Sequence, residues 1–133
     1  ILAYLKKSCR LKHIEQFCAL CRKYKIDILG YFIIGSPGDT EDDRRTLPAR
    51  IRELGIRLPY FNLLSPLAET PYYDMLLKDG TFTVDHWKEF CRNPVPDFVT
   101  PSARDPDDEL ALRGTIDQYV ADFKRDDMPL YVS

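Results

Sequence analysis

The chain has 133 residues with 19 basic and 21 acidic side chains, so its formal net charge is −2. That balance lacks the positive excess with which nucleic-acid-binding proteins contact phosphates. Apolar residues make up 44% of the chain and charged residues 30%, which is typical of a folded domain and excludes a wholly disordered one. No apolar run approaches the ~20 residues of a membrane-spanning helix. We therefore expect a cytoplasmic protein with no nucleic-acid or membrane partner.

The first half of the chain predicts helix, strand and helix in succession. Apolar residues recur every three or four positions over Leu11–Tyr24, which predicts an amphipathic helix. Ile26–Ile34 is a nearly continuous run of β-branched and aromatic residues, and this favours a strand buried on both faces. A second helix is expected over Glu41–Leu54, with Thr40 as its N-cap. Because Pro48 has no amide hydrogen and crowds the preceding turn, we expect a kink or a gap in that helix.

The second half begins with another strand, predicted over Leu58–Leu64. A short helix from Pro71, a brief one after Asp85 and a last one from Pro106 follow, and the last carries an apolar stripe that predicts docking. Strands alternating with helices predict that Ile28–Ile34 and Tyr60–Leu64 are parallel neighbours joined by a right-handed crossover. Two strands alone make no robust sheet, so we interpret the chain as part of a larger parallel sheet or barrel.

Three segments resemble radical SAM enzymes. Phe32–Thr40 reads Phe-Ile-Ile-Gly-Ser-Pro-Gly-Asp-Thr and resembles the family's Phe-Ile-x-Gly-x-Pro-Gly-Glu-Thr segment near the fifth barrel strand. Ile1–Lys7 resembles the segment just after the fourth strand. Leu63–Tyr73 resembles the end of the sixth strand and its loop, commonly Pro-x-Pro-Gly-Thr-x-x-Tyr. The resemblance covers roughly residues 1–90.

The sequence departs from the family pattern at three points. Asp39 stands where the family has Glu, and Ala68 and Glu69 stand where it has Pro-Gly. The Cys-x3-Cys-x2-Cys motif that binds the [4Fe–4S] cluster is absent. The chain therefore resembles the C-terminal part of a radical SAM enzyme without its cluster segment, and we expect a fragment of a longer protein.

The resemblance implies an α/β fold, a fragment of a partial (β/α)6 TIM-like barrel with two parallel strands and their helices. Residues 1–80 would be the C-terminal part of the barrel and residues 81–133 a helical extension with the proline-rich linker 92–106. The parent would be an oxidoreductase or transferase that uses a [4Fe–4S] cluster to cleave S-adenosylmethionine to a 5′-deoxyadenosyl radical. The extension resembles tails of the cobalamin-binding subgroup, which adds cobalamin to the implied cofactors and methyl transfer to the implied activities.

The resemblance also implies a limited role for this chain. It would supply one wall of the pocket, with Ile33 and Gly35 beside the adenine and Ser65 flanking the same group or an unidentified small-molecule substrate. No residue of the chain is assigned as catalytic or as a metal ligand, and we expect the chain alone to be inactive.

Two other classes stay open: a non-catalytic protein-interaction module and a small metal-binding domain that uses Cys9, Cys18 and Cys21. Cys18 and Cys21 have the Cys-x2-Cys spacing of zinc and redox sites. Both fall on the apolar side of the first predicted helix, so we expect them to be buried rather than bound to metal. An exposed strand edge, where a barrel would continue, also predicts self-association.

Overall fold

The computed structural model describes residues 10–125, and these residues have an α/β fold of five helices and two strands. In chain order the elements are α1 (Leu11–Lys23), β1 (Leu29–Ile34), α2 (Glu41–Leu54), β2 (Leu58–Leu63), α3 (Pro71–Lys78), α4 (His86–Arg92) and α5 (Pro106–Arg125). The segment Ile1–Lys7 and Cys9, both named above, lie outside the described residues. No helix within residues 10–125 combines the length and the apolar composition that crossing a bilayer requires.

Strands β1 and β2 form a parallel sheet, in which Leu29 is opposite Leu58 and Ile34 is opposite Leu63. The predicted parallel pairing is confirmed. Because parallel strands run the same way, their carboxyl ends meet at one edge of the sheet. The amide of Leu64 donates a hydrogen bond of 2.9 Å to the carbonyl of Ile34 and extends the pairing beyond both strands.

The two faces of this sheet differ in burial. On one face Phe32, Ile34 and Phe61 pack into an apolar core. On the other face Tyr31 is 69% exposed and Ile33 is 48% exposed. The prediction of a strand buried on both faces is wrong for the described residues, since their helices cover only one face of the sheet.

The described chain divides into two compact units. One unit runs to Leu64 and resumes at Ala111, and the other is Ser65–Leu110. These limits differ from those of the two domains suggested by the sequence, 1–80 and 81–133, and that domain assignment stays a prediction.

The first unit has its core between the sheet and three helices. Cys18 of α1, Ile51 of α2 and Phe123 of α5 are buried in it together with Phe61 of β2. The Phe61 ring lies 5.8 Å from the Phe123 ring. The apolar stripe of α5 therefore docks, as predicted, on the covered face of the sheet.

The second unit has a smaller core of Tyr73, Leu76 and Phe82. The Tyr73 hydroxyl donates a hydrogen bond of 3.1 Å to the Asp85 carboxylate, which also accepts the Lys88 amide at 3.1 Å. Asp85 thus caps α4 and ties the start of that helix to α3.

Helix α2 is unbroken from Glu41 to Leu54, so the gap predicted at Pro48 is wrong, while the alternative of a kink stays a prediction. In a regular helix the carbonyl of Arg44 would accept the amide of residue 48, and proline has none. The Arg44 carbonyl instead accepts a hydrogen bond of 2.6 Å from the Tyr119 hydroxyl of α5. A side chain from a distant helix therefore replaces the bond that Pro48 cannot make.

Candidate functional site

The candidate site lies at the carboxyl end of β1, where alternation along the strand separates two isoleucines. Ile34 is 2% exposed and packs into the core, whereas Ile33 points to the uncovered face of the sheet. The chain then turns at Gly35, whose φ of 78° is in the left-handed region that favours glycine. Ligands of parallel α/β folds lie at this end of the strands.

The loop after Gly35 is a tight turn over Ser36–Asp39. The Asp39 amide donates a hydrogen bond of 2.9 Å to the Ser36 carbonyl and closes the turn. Pro37 and Gly38 occupy its centre, and Gly38 has φ 82°, which is the pattern of a type II turn. A Cβ at Gly38 would meet no atom within 4 Å, so glycine is required there by the backbone angle and not by lack of space.

Asp39 turns back into the loop and does not face solvent. Its Oδ2 accepts the Gly35 amide at 2.7 Å, and its Oδ1 lies 3.3 Å from Nη1 of Arg44. The same Nη1 donates to the Asp39 carbonyl at 3.4 Å. The Asp39 side chain is only 7% exposed, so its charge requires these partners. A guanidinium and a carboxylate thus fix the amide that begins the loop.

The start of α2 is capped as the sequence predicts, with Thr40 at the N-cap. Its Oγ1 accepts the Asp43 amide at 3.1 Å, while the Asp43 carboxylate accepts the Thr40 amide at 3.1 Å. The Thr40 hydroxyl also donates to this carboxylate at 2.7 Å, and the hydrogen bonds from Thr40 lower the pKa of Asp43. The loop therefore leads into a helix whose first turn is firmly fixed.

The structure places the three predicted pocket residues in different settings. Ile33 and Gly35 flank Ile34 at the end of β1, in the first unit. Ser65 is exposed and is the first residue of the second unit, so its predicted contact with the same ligand stays a prediction.

The cysteines of α1 are buried, as predicted. Burial raises the pKa of the Cys18 thiol, and the neighbouring Cys21 raises it further. Within residues 10–125 no group of three His, Cys, Asp or Glu side chains could hold a metal ion. A [4Fe–4S] cluster would therefore need thiolates from outside the described residues.

Two residues that fix the loop were not singled out from the sequence. No sequence pattern separates Arg44 from the other charged side chains of α2, and Tyr119 is one of several apolar residues in the stripe of α5. The signal was Pro48, because a proline inside a helix leaves a carbonyl that needs another donor. No sequence pattern names Tyr119 as that donor.

An open cavity of about 410 Å³ lies along β2 and α5 in the first unit. It is lined by Tyr60, Phe61, Asn62, Leu63, Arg113, Ile116 and Asp117. Neither Ile33 nor Gly35 lines this cavity, so it is separate from the candidate site.

Over 69 residues, or 52% of this chain, the sequence is 38% identical to the bacteriochlorophyllide d C-12(1)-methyltransferase of Chlorobaculum tepidum. The matched segment is 15% of the length of that enzyme, so this chain spans only a small part of it. No protein-family model matches the chain, and no solved structure matches it significantly. The similarity relates part of this chain to an enzyme.

Proposed function

We propose that this chain forms the end of the partial barrel of a radical SAM enzyme and that Ile33 and Gly35 form part of its S-adenosylmethionine pocket. One observation carries the proposal: a glycine-rich loop, braced by Asp39, sits at the carboxyl end of a parallel strand. That is where the Phe32–Thr40 resemblance predicts the adenine of the cofactor. Ser65 is proposed to contact the same ligand from the resemblance alone.

The uncovered face of the sheet supports the proposal. Leu29, Tyr31 and Ile33 present apolar side chains on this face and are all exposed. A parallel sheet is ordinarily buried on both faces, because its strands form the wall of a barrel or lie between helix layers. A face of this kind fits a barrel interior that other strands complete.

Ile33 and Gly35 suit the adenine base of S-adenosylmethionine. Ile33 offers an apolar surface for an aromatic base, and Gly35 has no side chain to keep a ligand from the backbone. Asp39 occupies the Gly35 amide with its carboxylate, so this amide positions the loop and does not donate to the ligand. S-adenosylmethionine, reduced by one electron from the parent's [4Fe–4S] cluster, would supply the radical chemistry. This chain's residues would bind and orient it.

The similarity to a methyltransferase bears on the parent reaction. The relative's name states methyl transfer to a bacteriochlorophyllide. We extend only the reaction type to this chain and propose methyl transfer as the activity of the parent, with the substrate unassigned. The resemblance of the extension to the cobalamin-binding subgroup agrees with that choice.

The proposal is tested by titrating the isotope-labelled 133-residue chain with S-adenosylmethionine and following backbone amides by NMR. We expect the largest shifts at Ile33 and Gly35. Ile33→Ala should weaken binding about fivefold to tenfold, since it removes apolar contact with the base.

Leu29→Ala is the matched control. Leu29 is 43% exposed on the same face as Ile33 but lies at the other end of β1, about 13 Å away at the rise of a strand. This variant should bind as the wild type does. Equal weakening by both variants, or no shift at Ile33 and Gly35 in the wild type, would contradict the proposal.

The family assignment has an independent test in the coding sequence upstream of Ile1. A Cys-x3-Cys-x2-Cys motif in the same reading frame supports it. A complete upstream sequence without such a motif counts against it, because the described residues supply no cluster ligands.

A further inference from the structure

A line of hydrogen bonds and an ion pair connects α5 to the loop that follows β1. It begins at the buried hydroxyl of Tyr119, which donates 2.6 Å to the carbonyl of Arg44, 75 positions away in sequence. It continues through the Arg44 guanidinium to Asp39 and ends at the Gly35 amide. Each step joins groups that are buried or partly buried, where such bonds are stronger than in water.

Arg44 lies in the middle of this line and joins its two parts, one through the backbone carbonyl and the other through the guanidinium. Its carbonyl is bound by Tyr119, while its Nη1 contacts both the carboxylate and the carbonyl of Asp39. Because Pro48 cannot donate to that carbonyl, Tyr119 supplies the hydrogen bond that the helix lacks there. The backbone position of Arg44, and so the origin of its side chain, depends on a residue of α5.

The Ser36 hydroxyl indicates that contacts made by other residues hold the loop in its conformation. Ser36 is 4% exposed, and its buried hydroxyl has no hydrogen-bond partner among the described residues. Burial of an unpaired hydroxyl is unfavourable, so other contacts must keep the loop in this conformation. The bonds of Asp39 to Gly35 and to Arg44 do so.

The Tyr119 hydroxyl stays protonated and can therefore donate its hydrogen bond to the Arg44 carbonyl at any neutral pH. Burial raises the pKa of Tyr119 and the nearby Asp39 carboxylate raises it further, while Arg44 lowers it. The net direction is upward, so the phenol keeps its proton throughout the neutral range.

We infer that Tyr119 is a positioning residue that holds the Gly35 amide in place through Arg44 and Asp39. Its role in ligand binding rests on the proposed function, in which Gly35 flanks the adenine. The conformational coupling does not, since it is a property of the loop without ligand. The extension helix would thus set the shape of a pocket wall that its own residues do not line.

The test is amide hydrogen exchange in the 133-residue chain, read at Gly35 relative to Leu64. The Leu64 amide, bonded to the Ile34 carbonyl, reports opening of the sheet itself. Tyr119→Phe should speed Gly35 exchange about fivefold relative to Leu64, the factor that loss of one hydrogen bond to an uncharged acceptor gives. Arg44→Met should have the same effect, and the double variant should add little to either.

Tyr73→Phe is the matched control, because it also removes a buried, hydrogen-bonded hydroxyl, but in the second unit. It should leave the ratio of the two exchange rates unchanged. Unchanged Gly35 exchange in Tyr119→Phe, or fully additive effects of Tyr119→Phe and Arg44→Met, would overturn the inference. Neither readout requires S-adenosylmethionine, so failure of the proposed function would be seen separately in the ligand titration.

Discussion

The hydrogen bond between Tyr119 and the Arg44 carbonyl can be tested by a double-mutant cycle with Pro48. Tyr119→Phe removes the hydroxyl and leaves a partly buried carbonyl without its observed donor. An unsatisfied buried group costs about 1–3 kcal/mol, and partial burial places this one near the lower end. In Pro48→Ala the amide of residue 48 becomes available to the same carbonyl.

The expected result is coupling between the two sites. Tyr119→Phe should lower the free energy of unfolding by about 1–2 kcal/mol when residue 48 is proline and by about 0.5 kcal/mol when it is alanine, a coupling of about 1 kcal/mol. The effect of Pro48→Ala by itself cancels in the cycle. This cancellation matters because Pro48→Ala also changes the conformational entropy of the unfolded chain.

The measurement is urea unfolding followed by circular dichroism, whose helical signal comes mostly from the long helices α1, α2 and α5. A change of 1 kcal/mol moves the midpoint by about 0.3–1 M for m-values of about 1–3 kcal/mol per M. The fluorescence of Trp87, the single tryptophan, monitors the second unit separately. Tyr31→Phe, at a side chain 69% exposed, should be neutral in both backgrounds. Equal costs of Tyr119→Phe with proline and with alanine at residue 48 would refute the reasoning.

Three further predictions concern the loop, the helix cap and the cysteines. Gly38→Ala should destabilise the chain by about 1 kcal/mol and Gly38→Asn by less, because asparagine tolerates the left-handed backbone better; urea unfolding of both variants checks the order. The pKa of Asp43 is lowered by its bonds to Thr40, so its contribution is complete above the unfolded value of 3.8 and is lost as the pH falls through the lower folded value. Asp43→Asn should therefore cost stability at pH 7 and almost none once the pH is below the lowered folded pKa, and denaturant titrations from pH 7 down into that range test this. Anaerobic reconstitution of the 133-residue chain with iron and sulfide should give no stoichiometric [4Fe–4S] cluster, because Cys18 and Cys21 are buried on one helix face; iron counting and absorbance decide it.

Local signals in the sequence predicted local structure well. The Thr40 cap of α2 was predicted correctly, since it depends on one turn of backbone and its nearest residues. The parallel pairing of β1 and β2 also followed from the order of strands and helices. These features need no knowledge of distant parts of the chain.

Features that depend on distant residues were not predictable. The gap expected at Pro48 does not exist, because Tyr119 satisfies the carbonyl that proline leaves unpaired. The exposure of Ile33 was missed as well, since an apolar strand sequence does not show which face other elements cover. At the candidate site the hydrogen bond between the Gly35 amide and the Asp39 carboxylate was not predicted either. An acidic residue before a helix ordinarily indicates only a favourable charge at the helix start.

The split of the first unit across the sequence has a consequence for how the chain folds. The Tyr119–Arg44 contact closes a loop of 75 residues, and a flexible loop of that length costs about 4 kcal/mol of chain entropy. If Ser65–Leu110 folds first, most of that loop is already ordered when α5 arrives, and the remaining cost of closure falls. During synthesis the covered sheet face, with Phe61 at its centre, stays exposed until Phe123 of α5 has left the ribosome. Early folding of the second unit would then speed the docking of α5 on the sheet, with every contact inside the first unit unchanged.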